Sequence, residues 1–236
     1  MRPPGPLPAP VEAVLLDAYG TLLALEPPAP VLRALLAAEG YDHPEEAVAA
    51  ALVAEILHYR VHHDRGRDAA SLAELRRDCA RIVAHHLGGA APPLPRLADL
   101  LVTSLRFVLL PDARPALDAL AAAGLRLAVV SNWDCSLPEE LERLGIAGRF
   151  EAIGVSALVG ASKPDPALFR FVLERLGVGP GAALHCGDRP DKDCQGARQA
   201  GLAAVLVDRE GALADGPCPR IRSLTVLPGL VAAARA

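Results

Sequence analysis

The chain has 236 residues, of which 52% are hydrophobic, 22% charged and only 3% aromatic, and its formal net charge is −4. That composition supplies a packed core built mostly from Leu, Val and Ala and excludes global disorder, while the small negative charge argues against nucleic acid or acidic membranes as partners. Five cysteines, Cys79, Cys135, Cys186, Cys194 and Cys218, form no C-x-x-C pair, and no run reaches the ~20 apolar residues of a membrane span.

The odd, scattered cysteines fit a reducing cytosol better than a disulfide framework. The opening "MRPPGPLPAP" is Pro-rich and lacks the apolar stretch of a signal peptide. A soluble cytoplasmic protein is expected.

In chain order, Val14, Leu15 and Leu16 read as a buried strand that delivers Asp17 to a sheet edge, and Gly20 marks the turn beyond it. After "LEPPAP" the pattern becomes helical. Residues 31–39 form a short helix ended by Gly40, and Val48, Leu52, Ile56 and Tyr59 make a second helical stripe. Ser71 and Glu74 are spaced as a capping box ahead of Leu72, Leu75, Cys79, Ile82 and Val83. Leu97, Leu100, Leu101, Leu105 and Val108 form the fourth stripe. No strand signal interrupts them, so residues 26–108 read as a helical bundle.

From Pro111 the rhythm is helix, strand, helix, strand. A helix over 115–123 stops at Gly124, and "LRLAVVS" follows as a buried strand. Ser136 and Glu139 have capping-box spacing ahead of a helix ending at Gly145. Residues 153–155 form a short strand, and Asp165 followed by Pro166 opens a helix closed by Gly177. "AALHC" is the next strand, a helix runs to Gly201, and "AAVLV" is the last strand. This alternation predicts an α/β fold, a Rossmann-like parallel sheet with helices on both faces. The first strand needs that sheet for stability. The expected division is an α/β core of residues 1–25 and 109–236 with an all-α helical-bundle cap inserted at 26–108.

Ligands of such sheets bind beyond the carboxyl ends of the strands. Three predicted strands end in Asp17, in Ser131 with Asn132, and in Asp188, and Lys163 stands in the loop "ASKPDP" before a helix. They supply a nucleophile, hydroxyl and amide donors, a cation and a second carboxylate. Singly, a strand-end Asp reads as a helix cap, Ser-Asn as a turn and a loop Lys as solvated. Their order, and one shared edge, raises them above those readings. His58 and His62 stand one helical turn apart with His63 and Asp64 next, yet no third metal ligand has suitable spacing, so they read as polar groups on the insertion. His185 is expected to point into the sheet packing.

These four segments resemble the haloacid dehalogenase superfamily of hydrolases over nearly the full chain. "DAYGT" matches its first motif, Ser131 and Asn132 the second, "SKPDP" the third and "GDRPDKD" (187–193) the acidic fourth, and the helical insertion matches the family's cap. The resemblance implies that Asp17 is a nucleophile forming a covalent aspartyl intermediate. It implies that Ser131 and Lys163 hold the substrate's anionic group, and that Asp193 orients Lys163 or a metal-bound water. Asp188, Asp17 and the backbone carbonyl of Tyr19 are the implied Mg²⁺ ligands. Tyr19, Thr21, Asn132 and Trp133 are assigned to substrate binding, Trp133 against the alternative of a core aromatic.

Tyr19 departs from the family's phosphatases, which carry a second aspartate there to protonate the departing alcohol. A phenol of pKa near ~10 is poorly matched to that task, and losing a general acid costs ~10²–10⁴ in rate. D-x-Y-G-T is instead the pattern of the family's 2-haloacid dehalogenases, whose halide leaves without a proton. Those enzymes use no metal and need a cap arginine, for which Arg33, Arg60, Arg65 and Arg67 are candidates. The fourth motif points the other way, because an extra buried carboxylate near Asp17 is costly unless a cation lies between them. The expected function is a Mg²⁺-dependent phosphohydrolase on a small phosphorylated metabolite. The alternative is a metal-independent 2-haloacid dehalogenase acting on a halogenated metabolite, and the third a regulatory or binding protein on a hydrolase scaffold.

Overall fold

The strand β1 (Ala13–Leu16) is buried at every position and pairs in parallel with two neighbours, so it lies inside a sheet. The computed structural model that shows this describes residues 10–88, 90–214 and 216–235. The signal-peptide reading of residues 1–9 lies outside the described residues. Two short strands, β2 (Leu23–Leu25) and β3 (Phe107–Leu109), pair with each other in a separate two-stranded sheet. The main sheet adds β4 (Arg126–Ser131), β5 (Ala152–Val155), β6 (Ala183–Gly187), β7 (Ala203–Val207) and β8 (Arg220–Ile221). Its order is β5-β4-β1-β6-β7-β8 and every pairing is parallel.

The chain therefore builds outward on one side of β1 through β4 and β5, then returns to β1's other side with β6. β1 is the topological switch point, where side chains at the carboxyl ends converge on a crevice. The predicted parallel sheet is observed.

The chain divides into two compact units, one reaching Ala24 and resuming at Leu109, the other Leu25–Val108. The second unit holds α1 (Pro28–Ala38), α2 (Glu45–His62), α3 (Ala69–His86) and α4 (Leu94–Ser104). Leu36, Val48, Leu75, Val83 and Leu97 are among the side chains buried in it. In the first unit follow α5 (Ala113–Ala122), α6 (Leu137–Arg143), α7 (Ser156–Val159), α8 (Pro166–Leu176), α9 (Gln195–Gln199) and α10 (Leu227–Arg235). α8 and α9 bury Phe169, Val172 and Ala197 against Ala13, Leu15, Ala128 and Val130. The alternate strand residues, Val14, Leu16 and Val129, are equally buried, and α5 packs on β4 with α10 beside it. Burial on both faces explains the near-continuous apolar strands.

Four local expectations are corrected. Leu105 and Val108 leave the fourth helix, which ends at Ser104: Leu105 is already extended with ψ 99°, and the chain enters β3, whose pairing with β2 overrides the helical spacing. Helix α3 begins earlier than Ser71, with Asp68 as its N-cap. The capping box is reciprocal between Asp68 and Ser71, at 2.8 and 3.1 Å. Ser136 makes no cap and donates its hydroxyl to Asp134 at 2.6 Å. Lastly, Cys194 and Cys218 form a disulfide across 24 positions, with Cα atoms 6.0 Å apart. The return from β6 through β7 brings them together, a pairing no local spacing reveals, and it removes the cysteine argument for a reducing compartment. No helix among the described residues is long and apolar enough to cross a membrane.

Candidate active site

β1 stops one residue before Asp17, whose N–H still donates to the Cys186 carbonyl at 3.0 Å, so the sheet's own ladder carries the carboxylate to the edge. β4 ends at Ser131 and delivers its hydroxyl to Asp17 Oδ1 at 3.2 Å. Lys163 arrives from the loop before α8, its Nζ 2.5 Å from Asp17 Oδ1 and 2.6 Å from Asp193 Oδ1. Asp17, Ser131, Lys163 and Asp193 are all buried, none more than 6% exposed.

Asn132 fixes where that lysine starts. Its Nδ2 donates to the Lys163 carbonyl at 3.0 Å and its Oδ1 accepts the Lys163 N–H at 2.7 Å. Both ends of the amide engage the Lys163 backbone, so Asn132, expected at the substrate, also clips the loop that carries the lysine. Asp193 fixes where the lysine ends. Besides Lys163, Oδ1 meets His185 Nε2 at 2.9 Å, and Oδ2 accepts the Arg189 N–H at 2.9 Å. His185 was expected in the sheet packing, and it is fully buried, but its ring nitrogen engages this carboxylate.

Three carboxylates, Asp17, Asp188 and Asp193, each offer an oxygen within 4.8 Å of the others. One ammonium faces them, so two negative charges stay uncompensated. Asp193 takes the larger share of the compensation. Burial works against its charge, but Lys163 and the His185 hydrogen bond outweigh it and hold its pKa well below the usual carboxylate range. Asp17 shifts upward instead, because burial and the Asp193 charge exceed what Lys163 returns. The pull of both aspartates raises Lys163 despite its burial. Burial, then Asp17 and Asp193, push Asp188 up to about 7. Among the described residues, buried Asp188 Oδ1 has no hydrogen-bond partner. A cluster of hard oxygen donors with excess negative charge and an orphaned carboxylate oxygen fits a divalent cation.

The turn after Asp17 is wound tightly. The Ala18 carbonyl accepts the N–H groups of Leu22 and Leu23, both at 2.8 Å, and Gly20 sits at φ +86°. Arg209, a residue the sequence did not single out, donates to the carbonyls of Gly20 and Thr21 at 2.8 and 2.9 Å and to Asp112 at 2.8 Å. No sequence signal marked it, since a lone arginine after a strand usually meets solvent. Tyr19 is 39% exposed at the head of this turn. Thr21, expected at the substrate, is wholly buried within it, its Oγ1 without a partner among the described residues. Trp133 is 7% exposed and its backbone N–H donates to Ser156 Oγ at 3.1 Å. Its burial fits the core-aromatic alternative.

In the helical unit, the His58 and His62 rings lie 4.4 Å apart, tilted at 50°, and His63 Nδ1 meets Asp64 at 2.9 Å.

The family model of haloacid dehalogenase-like hydrolases matches residues 11–201. A phosphoserine phosphatase of Thermus thermophilus is 41% identical over 52% of this chain and 50% of its own length, so the chain spans only half of that relative. A glyceraldehyde 3-phosphate phosphatase of Methanopyrus kandleri is 32% identical over 84% of each chain. Among solved structures, a HAD phosphatase from Thermococcus onnurineus has a TM-score of 0.66 at 26% identity, covering 96% of this chain and 100% of that one. A 2-haloacid dehalogenase from Pseudomonas syringae has a TM-score of 0.65 at 27% identity, covering 94% and 99%. From a match over most of its length, and from strand-end groups that meet as the four motifs require, it follows that this chain belongs to the haloacid dehalogenase-like hydrolases.

Proposed function

We propose that the chain is a Mg²⁺-dependent phosphohydrolase acting on a small phosphorylated metabolite, with Asp17 as nucleophile. The observation that carries this reading is Asp188, a third carboxylate beside Asp17 and Asp193 with an unpartnered buried oxygen. A metal-independent mechanism leaves that charge with no purpose and a cost. The two phosphatase relatives support the same class of reaction.

In this reading Asp17 attacks phosphorus, the leaving oxygen departs with the electrons of the P–O bond, and water later cleaves the aspartyl phosphate. Lys163 and Ser131, already directed at Asp17 Oδ1, turn their donors to the phosphoryl oxygens. Donors already held beside Asp17 have only to exchange one acceptor for another as charge develops on the phosphoryl group. Asp193 and Asn132 hold Lys163 in place. Asp17, Asp188 and the Tyr19 carbonyl are the ligands assigned to Mg²⁺, which when bound supplies positive charge against the repulsion between carboxylates and phosphate. The helical unit Leu25–Val108 is assigned the role of a substrate-selecting cap.

Tyr19 favours the second reading, a 2-haloacid dehalogenase, because a halide leaves without a proton; the likeness to the Pseudomonas syringae dehalogenase agrees. In the phosphohydrolase reading the same residue restricts the enzyme to leaving groups that need no protonation. Asp17→Asn tests the nucleophile. It is expected to abolish hydrolysis of p-nitrophenyl phosphate while leaving the melting temperature and circular dichroism near wild type. Retained hydrolysis would place the chemistry elsewhere.

A further inference from the structure

We propose that His185 is a positioning residue of the hydrolytic site: its Nε2–H holds the Asp193 carboxylate in the orientation that presents Lys163 to Asp17. The inference rests on the reading of Lys163 and Asp17 as the reacting pair.

Position 185 lies in the middle of β6, where Leu184, Cys186 and the strand partners Leu15 and Ala204 are apolar and buried. An imidazole there is costly unless hydrogen-bonded, and a leucine would fill the space without that cost. What the ring adds is one donor. Asp193 is engaged by Lys163, so its oxygens accept, and the nitrogen 2.9 Å away must carry the proton. His185 Nδ1 is buried with no partner among the described residues. The tautomer with hydrogen on Nε2 leaves only a lone pair there. Phe169 meets the ring edge-to-face at 5.0 Å and 87°, which fixes its plane.

The same strand face holds Asp193 a second way. Gly187 lies two residues on, and a Cβ at that position would overlap the Asp193 carboxylate. Glycine lets the carboxylate settle onto the strand and histidine supplies the bond that orients it there. The Arg189 N–H secures the other oxygen at 2.9 Å. With Asp193 so held, Lys163 Nζ is shared between two fixed oxygens rather than drawn wholly to one.

The test compares His185→Leu, His185→Gln and His185→Asn with wild type. Glutamine places an amide N–H near the Nε2 position, asparagine falls one atom short, and leucine offers no donor. With p-nitrophenyl phosphate and Mg²⁺, Leu and Asn are expected to lower kcat ~10–100-fold, the usual loss for a residue that orients a site residue, with KM within about threefold. Gln is expected to recover most of the rate. Should the Leu variant not fold, the Gln–Asn pair carries the same contrast. Equal kcat for Gln and Asn, or Leu at wild-type rate, would overturn the proposal. Crystal structures of the variants separate this from the functional reading. A lost Lys163–Asp193 contact in Asn, restored in Gln, upholds the positioning role even if no phosphate ester is hydrolysed, whereas an unchanged contact in Asn refutes it.

Discussion

Gly20 and Asp188 approach so closely that a Cβ on Gly20 would fall 2.5 Å from Asp188 Oδ2. The turn that follows Asp17 and the strand end that bears the third carboxylate therefore fit only around a glycine. Gly20 also holds φ at +86°, a conformation that costs other residues roughly 1–2 kcal/mol. Gly20→Ala is expected to weaken Mg²⁺ binding at least tenfold by calorimetry and to lower the melting temperature. Unchanged Mg²⁺ affinity would show that Asp188 tolerates displacement and is not a ligand.

Acidity and metal are expected to act against each other. Burial and the charges on Asp17 and Asp193 raise Asp188 from 3.8 to about 7. A carboxyl raised by folding binds its proton more tightly in the folded chain, so stability falls as pH climbs from the unfolded value towards 7 and stays reduced above it. Asp17 acts in the same direction. Asp193 acts oppositely, since its depressed pKa gives stability that is present above 3.8 and lost only in stronger acid. Metal-free protein is therefore expected to melt lower at about pH 7.5 than at about pH 5, and the rise in melting temperature on adding Mg²⁺ to be larger at the higher pH. A Mg²⁺-induced shift independent of pH would remove Asp188 from the binding site.

Tyr19 is expected to set the leaving-group dependence. With no carboxylic acid at that position, kcat/KM is expected to rise steeply as the leaving group becomes more acidic, so aryl and acyl phosphates exceed alkyl phosphates. Tyr19→Asp is expected to raise alkyl phosphate turnover towards the low end of the ~10²–10⁴ range of general acid catalysis, with little change for aryl phosphate. Equal wild-type rates on a matched aryl and alkyl pair would mean that protonation is supplied by another group.

Four of the groups that meet at the site are legible because each occupies a strand end or the loop before a helix, where local apolar runs and turn residues fix the position: Asp17, Ser131, Lys163 and Asp188. Asp193, inside the segment Pro190–Cys194, comes only from the resemblance of "GDRPDKD" to the fourth motif. What each side chain touches was not legible. Asn132 and Thr21 carry ordinary polar groups, and only the three-dimensional register shows that one clips the Lys163 backbone and the other is buried in the turn. His185 looked like packing because strand alternation gives the face but not the partner. The strands β2, β3 and β8 have two or three residues each, too few for any periodicity to register. The Cys194–Cys218 disulfide joins residues that only the order β6-β7-β8 brings together.

Product release with and without metal separates a Mg²⁺-dependent phosphohydrolase from a dehalogenase. Phosphate from p-nitrophenyl phosphate and chloride from 2-chloropropionate are followed in Mg²⁺ and in EDTA, for wild type and for Asp17→Asn. Phosphate release that requires Mg²⁺, disappears in EDTA and is absent from Asp17→Asn, with no chloride under any condition, is the expected result. Chloride release that persists in EDTA and is lost in Asp17→Asn would contradict it and make the enzyme a dehalogenase.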